Sequence, residues 1–212
     1  MAASPRRVGA ETSKTRDALL NCVETMMLED GYASVTYRAL AAKAGVTPSL
    51  VQYYFPSLDD IFIAAIRRYS QRNLEELKKG LAERSEDPLH AMWEYSWDEA
   101  SGAITTEFMA LGNHRKSIRS EIASVTERMR KLQVDALKKK YGANTVLAGD
   151  LSLGAVVVLT TGLPKFLNLE RGIDVKTAHA DVVRACERYL DSIEPPAQPR
   201  KRKTVSRSRR RD

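Results

Sequence analysis

The side chains with most to offer a partner lie within twenty residues. From 36 to 55 the chain reads Thr-Tyr-Arg-Ala-Leu-Ala-Ala-Lys-Ala-Gly-Val-Thr-Pro-Ser-Leu-Val-Gln-Tyr-Tyr-Phe, and its hydrogen-bonding groups end in Gln52, Tyr53 and Tyr54, just before Phe55-Pro56. Two short helices that cross steeply need a small residue at the inner contact, a residue tolerant of the left-handed conformation in the turn, and apolar wedges around both. Ala41, Gly45, Val46 and Val51 fill those roles in that order. Such a crossing leaves the second helix protruding, able to enter a major groove roughly 12 Å wide. Ala-x-x-x-Gly-Val alone is weak evidence, because many helical hairpins carry a small residue four before a glycine. A hairpin buried in a core, however, has no use for Gln52, Tyr53 and Tyr54 clustered at a helix end.

Little else in the chain offers chemistry. The histidines are His90, His114 and His179, and none stands at a metal-ligand spacing. Cys22 and Cys186 fall in unrelated helical patterns and read as reduced core thiols. There is no nucleophile elbow, phosphate loop or dinucleotide fingerprint. Neither an enzyme nor a bound cofactor or metal is expected.

The elements that must hold the 36–55 segment are helices throughout. Apolar residues recur at three- and four-residue spacings, and β-branched residues rarely alternate with polar ones. Helix 1 is expected over residues 14–30, with Leu19, Val23, Met26 and Met27 on one face and Gly31 suited to a left-handed stop. Thr36 caps a second helix and Thr47 a third, with Pro48 in its first turn. Ser57 and Asp60 form a capping-box-like pair for the fourth, which turns Ile61, Phe62 and Ile66 inward. Asp87-Pro88 repeats the cap-then-proline signal for a helix bearing Leu89, Met92, Trp93 and Trp97, and residues 104–112 read as a short apolar piece. Ile118, Ile122, Val125, Met129, Leu132 and Ala136 mark one stripe on a long helix over residues 115–140. The last two helices are expected over residues 145–169 and, capped by Asp174, to residue 193, with Ala178, Val182, Cys186, Tyr189 and Ile193 as a second stripe.

Residues 1–15 have no apolar stretch after Arg6 and Arg7, so no signal peptide is expected. The most apolar run, residues 151–164, is interrupted, flanked by Asp150 and Lys165, and shorter than the ~18 residues a membrane span needs. A cytoplasmic protein with no membrane partner is the expectation. Residues 200–212 hold eight Lys or Arg against the single acid Asp212, which accounts for the whole net charge of +7 and leaves the rest neutral overall. High basicity is therefore a property of the tail and does not by itself argue that the folded part binds nucleic acid. Residues 1–13 and 195–212 read as disordered.

From about Thr15 to Phe62 the chain resembles the TetR family of one-component bacterial regulators. The resemblance rests on helix 1, Gly31-Tyr32, the capping Thr36, Leu40-Ala41-x-x-Ala44-Gly45-Val46, and Tyr53-Tyr54-Phe55-Pro56-Ser57 followed by acids. It implies an all-α fold of about nine helices: a three-helix helix-turn-helix DNA-binding domain over residues 14–60, then a larger helical ligand-binding and dimerisation domain over residues 61–194. Position by position it implies that Arg38, Pro48, Ser49, Leu50 and Gln52 approach the groove, while Thr36, Thr47, Tyr53 and Tyr54 serve phosphates. Gln52 suits bidentate pairing with adenine, Arg38 with guanine, and Leu50 a thymine methyl. The hydroxyls and helix N-termini at Thr36 and Thr47 suit phosphate oxygens. The family commonly has tyrosine where this chain has Gln52 and lysine where it has Leu58. The first departure implies an altered base preference, and the second removes a common phosphate contact.

The implied partners are double-stranded operator DNA, a second copy of the chain and a small apolar or amphipathic inducer, with repression as the family's usual outcome. A dimer is needed because two recognition helices must meet major grooves roughly 34 Å apart. Residues 147–169, apolar on more than one side and holding Gly154 and Gly162, together with the last helix, are the expected four-helix interface. An inducer pocket is expected around the long helix, with Trp93, Trp97, Phe108, Met109, Ile118, Ile122 and Phe166 as walls and His114 as polar anchor. The basic tail motivates one rival, a sequence-indifferent nucleoid-type protein.

Deletion of residues 197–212 is expected to flatten the salt dependence of DNA binding while leaving operator choice intact, since each phosphate neutralised adds a slope of roughly −0.9. A gel-shift salt series checks this, and an unchanged slope rejects a DNA role for the tail.

Overall fold

The computed structural model describes residues 14–195 apart from Asp98 and Ala148. The N-terminal arm and the basic tail from residue 196 onward, both expected to be disordered, lie outside the described residues. Among the described residues the chain forms nine α-helices and one minimal hairpin.

Helix α1 (Lys14–Asp30) buries Leu19, Leu20, Val23, Met26 and Met27 along one face. A 3-10 turn (Tyr32–Ser34) leads to α2 (Tyr37–Ala44) and α3 (Pro48–Tyr54). Helix α4 (Leu58–Glu83) starts with the Ser57/Asp60 capping box, both reciprocal bonds being made, and runs unbroken for 26 residues. Then come α5 (Pro88–Tyr95), α6 (Glu99–His114) and the long α7 (Lys116–Tyr141). Strands β1 (Val146–Leu147) and β2 (Leu151–Ser152) pair antiparallel, Val146 opposite Ser152, before α8 (Leu153–Arg171) and α9 (His179–Ile193). No helix among the described residues is long and apolar enough to cross a membrane.

The apolar residues gather in two clusters strung along α4 and α7. The first joins α1, α2 and α3 to Ile61, Phe62, Ala65 and Ile66 of α4, and also takes in Ile104, Phe108 and Leu111 of α6 and Ile118 of α7. The second joins Leu77 and Leu81 of α4 to α5, Leu137 of α7, α8 and Leu190 of α9. The first cluster is thus not closed by residue 60; α1 to α3 complete it with side chains from α4, α6 and α7.

Several local expectations are revised. Gly31 has positive φ (77°) but an extended ψ (165°), so it turns the chain without the left-handed helix stop. Helix α8 begins at Leu153, capped by Ser152, and not near residue 145, because a turn at Gly149 (φ 89°) folds residues 146–152 into the hairpin. Asp174 has φ 61° within a turn and caps nothing; α9 starts five residues later, after Ala178 at φ 64°.

The most informative revision is at Asp87, which stands at the N-cap of α5 without making a cap bond. Its carboxylate pairs with Arg84 instead. The free amides of α5 are served from the far end of the chain: the buried Glu194 accepts from the Leu89 and His90 amides (2.9 and 3.0 Å), from His90 Nδ1 (3.1 Å) and from the Tyr141 hydroxyl (2.5 Å). A carboxylate suits the positive end of a helix. His90 Nε2 reaches Asp191 at 3.0 Å, so both ring nitrogens face carboxylates, a setting that favours the doubly protonated imidazolium. Burial opposes that charge, but the bonds and charges of Glu194 and Asp191 together outweigh it and hold His90 above the ordinary histidine range.

A histidine whose folded-state value is raised contributes its full stability below the unfolded value and loses it as pH climbs through the raised one. The melting temperature is therefore expected to fall as pH rises past the ordinary histidine range, and His90→Gln to flatten that fall. Thermal melts of both proteins across pH 6–9 check it; parallel declines would show His90 to be uncharged.

Candidate nucleic-acid interface and effector cavity

The helix pair α2–α3 is held by caps that the local sequence supplies. The Thr36 hydroxyl accepts the Ala39 amide at 3.2 Å, and the Thr47 hydroxyl accepts the Leu50 amide at 3.4 Å with Pro48 in the first turn. Between them the Gly45 amide donates to Ala42 O (3.3 Å) and the Val46 amide to Ala41 O (2.9 Å), the two bonds of a Schellman turn, with Gly45 in the left-handed region (φ 67°, ψ 33°). The Tyr37 hydroxyl donates to the Phe55 carbonyl at 3.0 Å, tying the start of α2 to the end of α3. Burial, then the nearby Asp60 charge, pushes the Tyr37 phenol up, so it remains a donor.

Burial decides which faces are free. Leu40, Ala41, Val51 and Phe55 are buried in the first core cluster. Thr36, Arg38, Thr47, Pro48, Ser49, Gln52 and Tyr53 are exposed, and Leu50 and Tyr54 are half-buried. All nine residues expected at the DNA therefore keep accessible surface on these two helices and their caps. Tyr53 and Tyr54 stack edge to face at 5.3 Å, which fixes Tyr53 against its neighbour. Leu58, where the resemblance led one to look for lysine, packs against the core cluster.

A further feature escaped the motif-based reading. No acid occurs between Asp30 and Asp59, and Arg38 and Lys43 stand within that stretch. The whole helix-turn-helix thus presents no carboxylate of its own to a phosphate backbone, whose affinity is set chiefly by charge neutralisation.

Two hollows adjoin the helices. One, of about 1000 Å³, is an open groove whose wall is nearly half charged, including Arg67 and Arg68. Arg67 is paired with Glu121 (2.6 Å) and Arg68 with Glu24 (2.8 Å). The other, of about 370 Å³, lies among α4, α5, α6, α7 and α8 and is the more apolar of the two. Its size falls within the roughly 300–1,000 Å³ of small-molecule sites.

Of the residues expected to wall an inducer site, Phe108, Met109, Ile122 and Phe166 line this cavity. The other four stand elsewhere. Trp93 is buried in the second core cluster; Trp97 packs edge-on against it at 5.3 Å, with the Arg171 guanidinium 4.9 Å over its ring. Ile118 is fully buried in the first cluster. His114 is exposed in the last turn of α6, where a basic side chain suits the helix dipole but meets no cavity. Residues not anticipated at the cavity include Tyr69, Tyr95, Arg130, Gln133 and Lys165. A signal for Lys165 was present: it is the one charged residue of α8 before Glu170.

Helix α6 touches both sites. Phe108 and Met109 line the cavity, and on the same helix Glu107 accepts the Tyr32 amide at 2.7 Å, at the entry to the helix-turn-helix. Helix α7 is tied to the start of α4 by Arg115 and Ser117, which both bind the Asp59 carboxylate. Those two hydrogen bonds, Ser117 first, hold Asp59 below the usual carboxylate range.

This architecture is that of an all-α protein whose helix-turn-helix pair is packed onto a larger helical body. Residues 24–65 match the family model described as bacterial regulatory proteins, tetR family. It is 28% identical over 140 residues to the HTH-type transcriptional repressor BepR of Brucella suis biovar 1 (strain 1330). That match covers 62% of this chain and 65% of BepR, just under two thirds of the relative's length. The fold is similar to a TetR-family transcriptional regulator from Rhodococcus sp. (TM-score 0.67, 19% identity, 84% of this chain and 100% of that one). It is also similar to a transcriptional regulator from Saccharomonospora viridis solved in complex with choline (TM-score 0.65, 14% identity, 85% and 97%).

A Cβ added at Gly45 would meet nothing within 4 Å, so the cost of a side chain there is purely conformational. Gly45→Ala is expected to lower stability by about 1 kcal/mol, the order of the penalty for an L-residue in the left-handed region. Chemical denaturation checks it; an unchanged midpoint would mean the turn relaxes.

Proposed function

We propose that this protein is a sequence-specific transcriptional regulator, a repressor, which binds a two-fold operator as a homodimer and is released from it by a small molecule. The observation that carries the reading is the exposed row Arg38, Pro48, Ser49 and Gln52 on a helix pair anchored by buried Leu40 and Val51 and free of carboxylates. Side chains so placed serve no core, and their chemistry matches base edges. Repression is favoured by the named role of BepR, and such work places the protein in the cytoplasm with the DNA.

The dimer reading rests on α8. Leu159, Phe166 and Leu169 are each at least half exposed along one stripe of the helix that the chain leaves uncovered, with Gly162 among them, and the exposed Ile173 continues the apolar surface in the turn after it. An apolar face of this kind on a folded chain marks a contact surface, and a two-fold pairing of α8 and α9 with their copies forms a four-helix interface. The inducer reading rests on the 370 Å³ cavity and on α6, which shares one rigid element between cavity wall and DNA-binding helices. A ligand that fits only one arrangement of α6 shifts the population away from the DNA-binding spacing. The choline bound by the Saccharomonospora viridis neighbour shows a small molecule held by a protein of this fold.

The test starts from duplexes selected from a random pool and measures competition against random DNA. Preference of about a thousandfold or more is expected. Arg38→Ala and Gln52→Ala are each expected to cut that preference by about tenfold, the worth of one bidentate base contact, with non-specific binding retained. Discrimination that survives both changes, or none in the parent, overturns the reading in favour of a sequence-indifferent binder.

A further inference from the structure

The cavity carries a charge pattern that an apolar effector does not need. Arg130 of α7 and Lys165 of α8 both line it, and among the described residues no carboxylate lines it with them. Neither cation has an ion-pair or hydrogen-bond partner among the described residues, although most Arg side chains on neighbouring faces, such as Arg67, Arg68 and Arg115, are paired. Around the two cations stand neutral groups, Gln133 and Thr161 among them, and beyond these an apolar wall of Phe108, Ile122 and Met129.

The geometry points to an anionic amphiphile as the occupant, its carboxylate or other acidic head held by Arg130 and Lys165 and its hydrocarbon part against Phe108, Ile122 and Met129. This deepens the proposed function and rests on its reading of the cavity as the effector site.

Two like charges that share a hollow without a counterion repel each other, and a bound anion removes that cost. The state of Lys165 is consistent with this. Protein atoms crowd its ammonium although much of the residue remains reachable by solvent, and that crowding, with Arg130 nearby, lowers its proton affinity below the ordinary lysine range. An anion reverses both effects, and charge-assisted hydrogen bonds from a guanidinium and an ammonium are stronger than neutral ones. A quaternary ammonium would meet two uncompensated positive charges here.

The test uses the full-length protein and three probes of equal chain length: decanoate, decanol and decyltrimethylammonium. Titration calorimetry is expected to rank decanoate at least about tenfold tighter than decanol, with the cation weakest. Lys165→Met and Arg130→Gln are each expected to erase most of the decanoate advantage while leaving decanol affinity within about twofold. Lys165→Arg is expected to restore the advantage, and circular dichroism melts confirm that each variant folds. Equal binding of decanoate and decanol, preference for the cation, no binding of any probe, or a decanoate advantage that persists in both variants overturns the inference. A parallel gel shift separates it from the reading beneath: decanoate bound with the expected charge dependence, yet without DNA release, upholds the anion site and overturns the inducer role.

Discussion

The helix-turn-helix pair owns no closed core, and the rest of the structure depends on that constraint. Val51 and Phe55 of the α3 region are buried in a cluster that also takes in α1 and α4, and that Ile104, Phe108 and Leu111 of α6 complete. Interiors are close-packed and bistable more readily than continuously deformable. A helix that fills one wall of a cavity and one side of this cluster cannot shift in the first without disturbing the second. Phe108 does both: it lines the cavity, packs edge-on to Tyr69 at 5.8 Å, and stands in the cluster beneath the helix-turn-helix. The coupling proposed between cavity and helix-turn-helix therefore needs no separate relay.

Polar contacts at the junction make the connection directional. The Glu107 bond to the Tyr32 amide falls where the backbone leaves α1. The Asp59 bonds to Arg115 and Ser117 fall where α4 begins. Both ends of the segment that carries α2 and α3 are thus fastened to α6 or α7, the helices that wall the cavity. These contacts are partly exposed, so their energetic worth is modest. What they add is register, because each fixes one chain entry point relative to a cavity helix.

Much of this was legible in the sequence, for a local reason. Caps and turns are short-range devices, so Thr36, Gly45, Thr47 and the Ser57/Asp60 box could be read from residue type and spacing, and the helices between them followed. What could not be read depends on partners far along the chain. Asp87-Pro88 carries a cap signal, yet the amides it should serve are taken by Glu194, more than a hundred residues away. The turn at Gly149 and the left-handed Asp174 and Ala178 displaced two helix starts for want of any periodic pattern to mark them. In the cavity, aromatic size identified candidates but not the side on which they fall. Trp93 and Ile118 are as apolar as Ile122 and Phe108, and only the way α5 and α7 are rotated against their neighbours separates buried core from cavity wall.

Helix α8 carries what a reading by aromatic size left out, a charged cavity residue. Lys165 interrupts an otherwise apolar stretch of the helix and keeps much of its surface in solvent. Lys165 and the next residue, Phe166, both line the cavity, and Phe166, more than half exposed, also stands on the stripe proposed to meet a second subunit. Consecutive helix positions differ by about 100°, so any rotation of α8 that draws Lys165 toward a bound anion turns Phe166 by the same angle. In the proposed dimer, the spacing of the two recognition helices on an operator would be set through that face. On the proposed reading, an anion that neutralises Lys165 would act on the element that carries that face, and on α6 through Phe108 at the same time. In the proposed dimer, occupancy of a single cavity would thus bias both the orientation of each helix-turn-helix and the distance between the two copies.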